Sequence, residues 1–155
     1  MIVRDWMQSD APTASPDTPV TDLARIMTMK KIAHVTVVAS DGGVAGVVTA
    51  ADMIARHARL HLPTYFSLLG FSIPIESERD DREIEKALST RAADLMSKRV
   101  ITVEPDADID SAATLMIDHG VSFLPVVENG RLLGTIDEND IVRLLVVEET
   151  GDATS

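Results

Sequence analysis

The chain of 155 residues contains no cysteine, which excludes a disulfide framework and a thiolate metal site. Aromatic residues make up only 3% of it against 45% apolar residues, so any core must be aliphatic and rich in methionine. Cations are also few: 14 Lys and Arg stand against 25 Asp and Glu, a formal charge of −11. That balance argues against a nucleic-acid partner, which needs clustered Lys and Arg. It leaves room for a small anionic ligand held by a few local donors. No apolar run approaches the length that spans a bilayer. Residues 1–10 carry Arg4 and Asp5 early and lack the apolar stretch of a signal peptide. A soluble, cytoplasmic protein is therefore expected. Signatures of catalysis are missing as well: there is no Cys nucleophile, no Gly-rich phosphate loop and no convincing Ser–His–Asp pattern. No enzymatic activity is expected, and the many carboxylates read as a solvated face and helix caps.

What is present centres on Gly46-Val47-Val48-Thr49-Ala50-Ala51-Asp52. Val47 and Val48 suit a buried strand. Thr49 is a good N-cap, with Asp52 at the third helical position. A helix that starts directly after a strand presents unpaired backbone N–H groups and a positive dipole end, a natural place for a phosphate. For one occurrence alone, a capping box would suffice. The design recurs, however, at Gly134-Thr135-Ile136-Asp137-Glu138-Asn139-Asp140, and an internal repeat governs the reading of the whole chain.

Residues Met1 to Gln8 read as a short helical lead-in, followed by a polar connection with a short extended segment near Thr13. Thr18 and Pro19 open a helix whose apolar face is Val20, Leu23, Ala24 and Met27, and Lys30 and Lys31 close it. Val35 to Val38 and Val44 to Val48 form a hairpin about Asp41-Gly42-Gly43. The second half repeats this order at an offset of 89, as in Asp5 and Asp94, Met7 and Met96, Pro16 and Pro105, Met27 and Met116. After the hairpin the offset is 88, as in Asp52 and Asp140; the change falls in the turn, where length varies freely. Each half is a helix–strand–strand–helix unit, which gives an α+β fold. Neither half can bury both faces of its small sheet alone, so the two should pack together.

The run Asp94-Leu95-Met96, Ile101 to Asp106, Gly120 to Val127 and Gly134 to Asp140 closely resembles a CBS (cystathionine-β-synthase) domain. The first half resembles a second, more divergent copy. The two together resemble a Bateman module of the stand-alone prokaryotic type. The resemblance implies a repeat at residues 1–57 and a second at 92–147 and leaves an inserted segment at 58–91 between them; residues 148–155, acidic and then small and polar, read as a disordered tail. It also implies a pseudo-twofold arrangement of the repeats, a homodimer, and clefts for an adenosine-containing ligand. AMP, ADP or ATP is expected, with S-adenosylmethionine as a further possibility. No cofactor is required, and an enzyme or transporter is the implied regulated partner.

By the same resemblance, Asp52 and Asp140 would each hold a ribose, since two carboxylate oxygens can meet two vicinal hydroxyls. Thr49 would offer a hydroxyl to a phosphate. Asp137 stands in its place in the second half and would repel one unless a cation intervenes. The Thr49–Asp52 site is therefore expected to take the phosphorylated ligand more readily, and the Asp140 site to be empty, to hold a nucleoside-like ligand or to need a metal ion. The base would lie against Thr13, Ala14, Ala33, His34 and Val35 in the first half, and against Thr102, Val103, Ser122, Phe123 and Pro125 in the second. Ile32, Val121 and Leu124 read as core. The first half departs from the family pattern at Lys31 and Thr36, where the second has Gly120 and Pro125. Phosphate donors are available in Arg4, Lys30, Lys31, Arg56, Arg99, His119 and Arg131. His57 and His61 are four apart, but no third metal ligand accompanies them. The inserted segment carries an apolar stretch from Leu62 to Ile75 and a charged one that suggests a helix with Ile84 and Leu88 on one face. It either packs on its own module or meets a partner, and the rival reading of the chain is an interaction module with vestigial clefts.

Overall fold

A computed structural model describes residues 1–60, 65–68, 71–74 and 90–151. The first half contributes β1 (Thr13–Ala14), α1 (Val20–Lys30), β2 (His34–Val38), β3 (Val44–Thr49) and α2 (Ala50–Leu60). Two short strands follow, β4 (Tyr65–Leu68) and β5 (Phe71–Pro74), paired antiparallel. The second half contributes α3 (Ala92–Leu95), α4 (Ile109–His119), β6 (Phe123–Glu128), β7 (Arg131–Asp137) and α5 (Glu138–Thr150). The α+β architecture and the repeat are thus as the sequence predicts. The lead-in is shorter than expected, a single 3-10 turn at Val3–Asp5. Helix α5 passes through Glu148 and Glu149 to Thr150, where the sequence predicts a disordered tail. The helix expected around Ile84 and Leu88 and residues 152–155 lie outside the described residues.

Each half has the same sheet. Strand β1 runs parallel to β2, with Thr13 opposite Thr36, and β2 pairs antiparallel with β3, with His34 opposite Thr49. In the second half Val103 bridges in parallel to Val126, and Phe123 lies opposite Asp137. Helices α1 and α4 end alike, with Lys31 and Gly120 in the left-handed conformation at φ 53° and 62°. The second suits glycine; the first sets a β-carbon in strained backbone.

The halves exchange their lead-in segments. Val3 and Arg4 donate backbone hydrogen bonds to Ala107 and Pro105, and Gln8 exchanges a pair with Thr135 (2.8 and 3.1 Å). Conversely, Ala92 and Ala93 donate to Thr18 and Pro16, and Ser97 exchanges a pair with Val47 (2.9 and 3.1 Å). The crossing is close enough to explain the glycine that opens each motif. A β-carbon at Gly46 would lie 2.8 Å from the Ser97 carbonyl oxygen, and one at Gly134 would lie 2.5 Å from that of Gln8.

The exchange divides the hydrophobic core in two. Val3, from the first lead-in, is buried with Val103, Ile109, Met116, Leu124, Val126, Ile136 and Leu144. Ala92, from the second, is buried with Ala14, Leu23, Met27, Val35, Val37 and Val48. Both clusters are aliphatic with one methionine each, as the shortage of aromatics requires. Burial of this kind contributes about 25 cal/mol per Å² of apolar surface, and each half obtains part of it from the other's lead-in.

Candidate functional site

The two repeated turns form the same backbone structure. In the first, the Asp52 backbone N–H donates to Thr49 Oγ1 (3.2 Å) and the Thr49 N–H donates to Asp52 Oδ2 (2.8 Å). In the second, Asp140 N–H donates to Asp137 Oδ1 and Asp137 N–H to Asp140 Oδ2, both at 3.0 Å. Both are reciprocal capping boxes, which satisfy donors that a helix start leaves unpaired.

Beyond the caps the two carboxylates differ. Asp140 is 1% exposed. Its oxygens accept both contacts of the Gln8 Nε2 amide (3.1 and 3.0 Å) and a guanidinium N–H of Arg143 (2.8 Å). Arg143 in turn lies 6.0 Å over the Trp6 ring. Burial pushes the Asp140 carboxyl above its usual range; the hydrogen bonds from Asp137 and Gln8 and the charge of Arg143 pull the other way. Asp52 is only half-buried, and among the described residues its hydrogen bonding is confined to the cap.

A cleft of about 330 Å³ opens at Asp52, within the range of small-molecule sites. One wall is Val47, Thr49, Ala51 and Asp52. The opposite wall comes from the second half: Ser97, Arg99, Val100 and Ile101, then Gly120, Val121, Ser122, Phe123 and Pro125. The Thr49 hydroxyl accepts a cap bond and keeps its own proton for a ligand. Arg99 supplies a cation at the rim.

The sequence paired each Asp with strand residues of its own half, and the geometry corrects that grouping. Ser122, Phe123 and Pro125 face Asp52, not Asp140. Thr13 and Ala33 are exposed and His34 is half-buried, all three off the Asp52 cleft, while Val35 is fully buried in the first core. Thr102 is exposed beside the cleft wall and Val103 belongs to the second core. The cause is the exchange of lead-ins, which turns the sheet of one half toward the helix start of the other. His34 and Phe123, equivalent positions in the two repeats, stack on each other with ring centroids 3.9 Å apart and planes 10° from parallel. Burial lowers the His34 pKa, although Asp137 and Asp140 attract its proton.

Of the phosphate donors considered from sequence, Arg99 lines the cleft. Arg4 is bound to Asp106 (3.2 Å) and Glu128 (2.8 Å), and Arg56 hydrogen-bonds Thr90. His61 and the His57 side chain lie outside the described residues. Ser97 and Ile101 were not singled out as site residues, and Arg99 only as one of several phosphate donors, because their place depends on the exchanged lead-in. The repeat offers a signal, since they stand where Gln8, Asp10 and Pro12 stand in the first half.

Comparison with known proteins accords with this architecture. The CBS domain profile matches residues 3–59 and again 92–147. The uncharacterized protein MJ1426 of Methanocaldococcus jannaschii is 26% identical over 94% of this chain and 92% of its own length. Homoserine O-acetyltransferase of Methanohalobium evestigatum is 28% identical over 92% of this chain, which spans only 24% of that protein. Among solved structures, CBSX2 in complex with AMP superposes with a TM-score of 0.73 at 22% identity, covering 96% of this chain and 98% of the other. The CBS domain pair of protein MJ0100, in complex with 5′-methylthioadenosine and S-adenosyl-L-methionine, gives 0.72 at 21% identity, covering 96% and 98%. Among the described residues no helix is long and apolar enough to cross a membrane. With both repeats matched and the pair fold formed, the chain belongs to the CBS domain family, as a tandem pair, or Bateman module.

Proposed function

We propose that the chain is a regulatory module that binds one adenosine-containing ligand, such as AMP, ADP or ATP, in the cleft at Asp52. The observation that carries this reading is the pairing across one cleft of an uncommitted carboxylate, Asp52, with a free-proton hydroxyl, Thr49, and a cation, Arg99. Asp52 accepts from the ribose diol. Thr49 and Arg99 take the phosphate beside the start of α2, where the helix dipole adds to them. Val121, Phe123 and Ile101 offer an apolar bed for the base. The complexes of CBSX2 with AMP and of MJ0100 with S-adenosyl-L-methionine support the ligand class. S-adenosylmethionine carries no phosphate, and Arg99 argues for a nucleotide instead.

The ligand touches both halves at once, so it favours whichever mutual arrangement it binds more tightly. That shift is the signal a regulated enzyme or transporter would read. The chain's match to a quarter of a homoserine O-acetyltransferase supports an enzyme in that role.

A thermal-unfolding screen against AMP, ADP, ATP, NAD and S-adenosylmethionine tests the reading. Ligand at about a hundred times its dissociation constant adds roughly 2.7 kcal/mol, or roughly 5–10 °C for a chain of this size. A selective rise, abolished in Asp52→Ala, is expected. No rise with any of them would favour the rival, an interaction module with vestigial clefts.

A further inference from the structure

The repeat allows the two ribose-type carboxylates to be compared position by position. Around Asp140 stand Gln8, Arg143 and Trp6, joined through the hydrogen bonds and the ring contact described above. The equivalent positions around Asp52 hold Ser97, Ala55 and Leu95. Every group that engages Asp140 from outside its cap is therefore truncated or apolar at the Asp52 site. Ser97 follows the same crossing path as Gln8, with the same backbone pair to the opposite strand, but its side chain is too short to reach the carboxylate. The charges diverge in the same sense. Where the Asp52 cleft has Thr49 and Arg99, the equivalent positions of the Asp140 site hold Asp137 and Asp10.

We propose that the Gln8 side chain is a built-in occupant of the second ribose-type site, at Asp140. Its amide, with Arg143, takes the carboxylate that would hold a ribose, so the module binds one adenosine ligand per chain and uses Asp140 to fasten the first lead-in onto the second half. This rests on the reading of the Asp52 cleft given above. Gln8 acts here as a determinant of stoichiometry: one carboxylate of the repeat serves recognition and its twin serves closure. The two acids at Asp137 and Asp10 add a second barrier, directed against phosphate and not against a nucleoside.

Calorimetric titration of the full chain with adenosine and with AMP tests this. The unmodified chain is expected to take one of either per chain. Gln8→Ser with Arg143→Ala, which copies the truncations around Asp52, is expected to take two adenosines and still one AMP. If that double variant, folded by circular dichroism, still takes one adenosine while the unmodified chain takes one, the proposal is overturned and the reading of the Asp52 cleft stands. If the unmodified chain takes two, the proposal is overturned likewise. If it takes neither ligand, both the reading and the proposal fall. Should the double variant not fold, the unmodified chain still decides by NMR. The Gln8 side-chain amide protons are expected to exchange slowly with water and to keep their shifts at saturating AMP. Exchange as fast as that of a free glutamine amide overturns the closure.

Discussion

An oxygen pair that meets only donors cannot be exchanged for an amide without setting N–H against N–H. Asp140 is in that position, since Gln8, Arg143 and the Asp137 backbone all donate to it. Asp140→Asn is therefore expected to destabilise the chain by about 1–3 kcal/mol, the cost of a buried unsatisfied donor. Asp52→Asn should change the melting temperature little, because one amide oxygen suffices for the Thr49 N–H, while ligand binding is lost. Thermal denaturation of the two variants side by side checks this. His34 gives a second test at the same scale. Burial depresses its pKa from the usual 6.5, so the unfolded chain takes up the proton first as the pH falls. Its contribution to stability is complete above that value and declines as the pH drops through the window below it. His34→Phe, which copies Phe123, should remove this part of the pH dependence while keeping the stack. Melting curves at several pH values would reveal it, and an unchanged profile would refute it. Asp52, Asp140, Thr49 and Asp137 were legible in the sequence because capping is local and a repeat exposes it. Gln8 was not, because its hydrogen bonds span 132 positions.

Helix ends carry the next level of difference. Lys31 and Gly120 close equivalent helices in the left-handed region, and only the second lacks a β-carbon. Lys31→Gly is expected to stabilise the chain by roughly 0.5–1 kcal/mol, since the strain removed exceeds the added freedom of the unfolded chain. Chemical denaturation at matched pH would measure it. Lys31 is not among the residues that line the Asp52 cleft, so nucleotide affinity should stay as it is. At this scale the sequence was read well wherever periodicity and turns repeat: both hairpins, the main helices and the strand-to-helix turns came from apolar spacing and from Gly pairs. It was read poorly where an element owes its place to something far away. Gly46 and Gly134 stood in the sequence only as the first residues of the repeated motif, yet they are required by the opposite lead-in, which leaves no room for a side chain.

For the molecule as a whole, the two cores are tied by exchange, and the surface keeps an uncovered apolar face. Ile54 and Val142 are equivalent positions on α2 and α5, and they are 68% and 58% exposed. Ile117, Leu145 and Val146 extend the same character on the second half, beside a groove of about 630 Å³ between α4 and α5. Exposed apolar side chains gathered beside a groove, as Ile117 and Val142 are, mark an interface more often than a solvated face. Because the pair Ile54 and Val142 is duplicated by the internal symmetry, a second copy of the chain can cover both positions with its own, an isologous arrangement. We expect a homodimer whose contact includes α4 and α5. Sedimentation of the unmodified chain should give the dimer mass, and Ile117→Asp with Val142→Asp should give the monomer, with the circular dichroism spectrum retained because both side chains already face water in the single chain. A monomeric unmodified chain would refute the interface. The Asp52 cleft is built entirely within one chain, so the monomeric variant should still bind one nucleotide. Loss of binding on dissociation would mean instead that the partner copy completes the site.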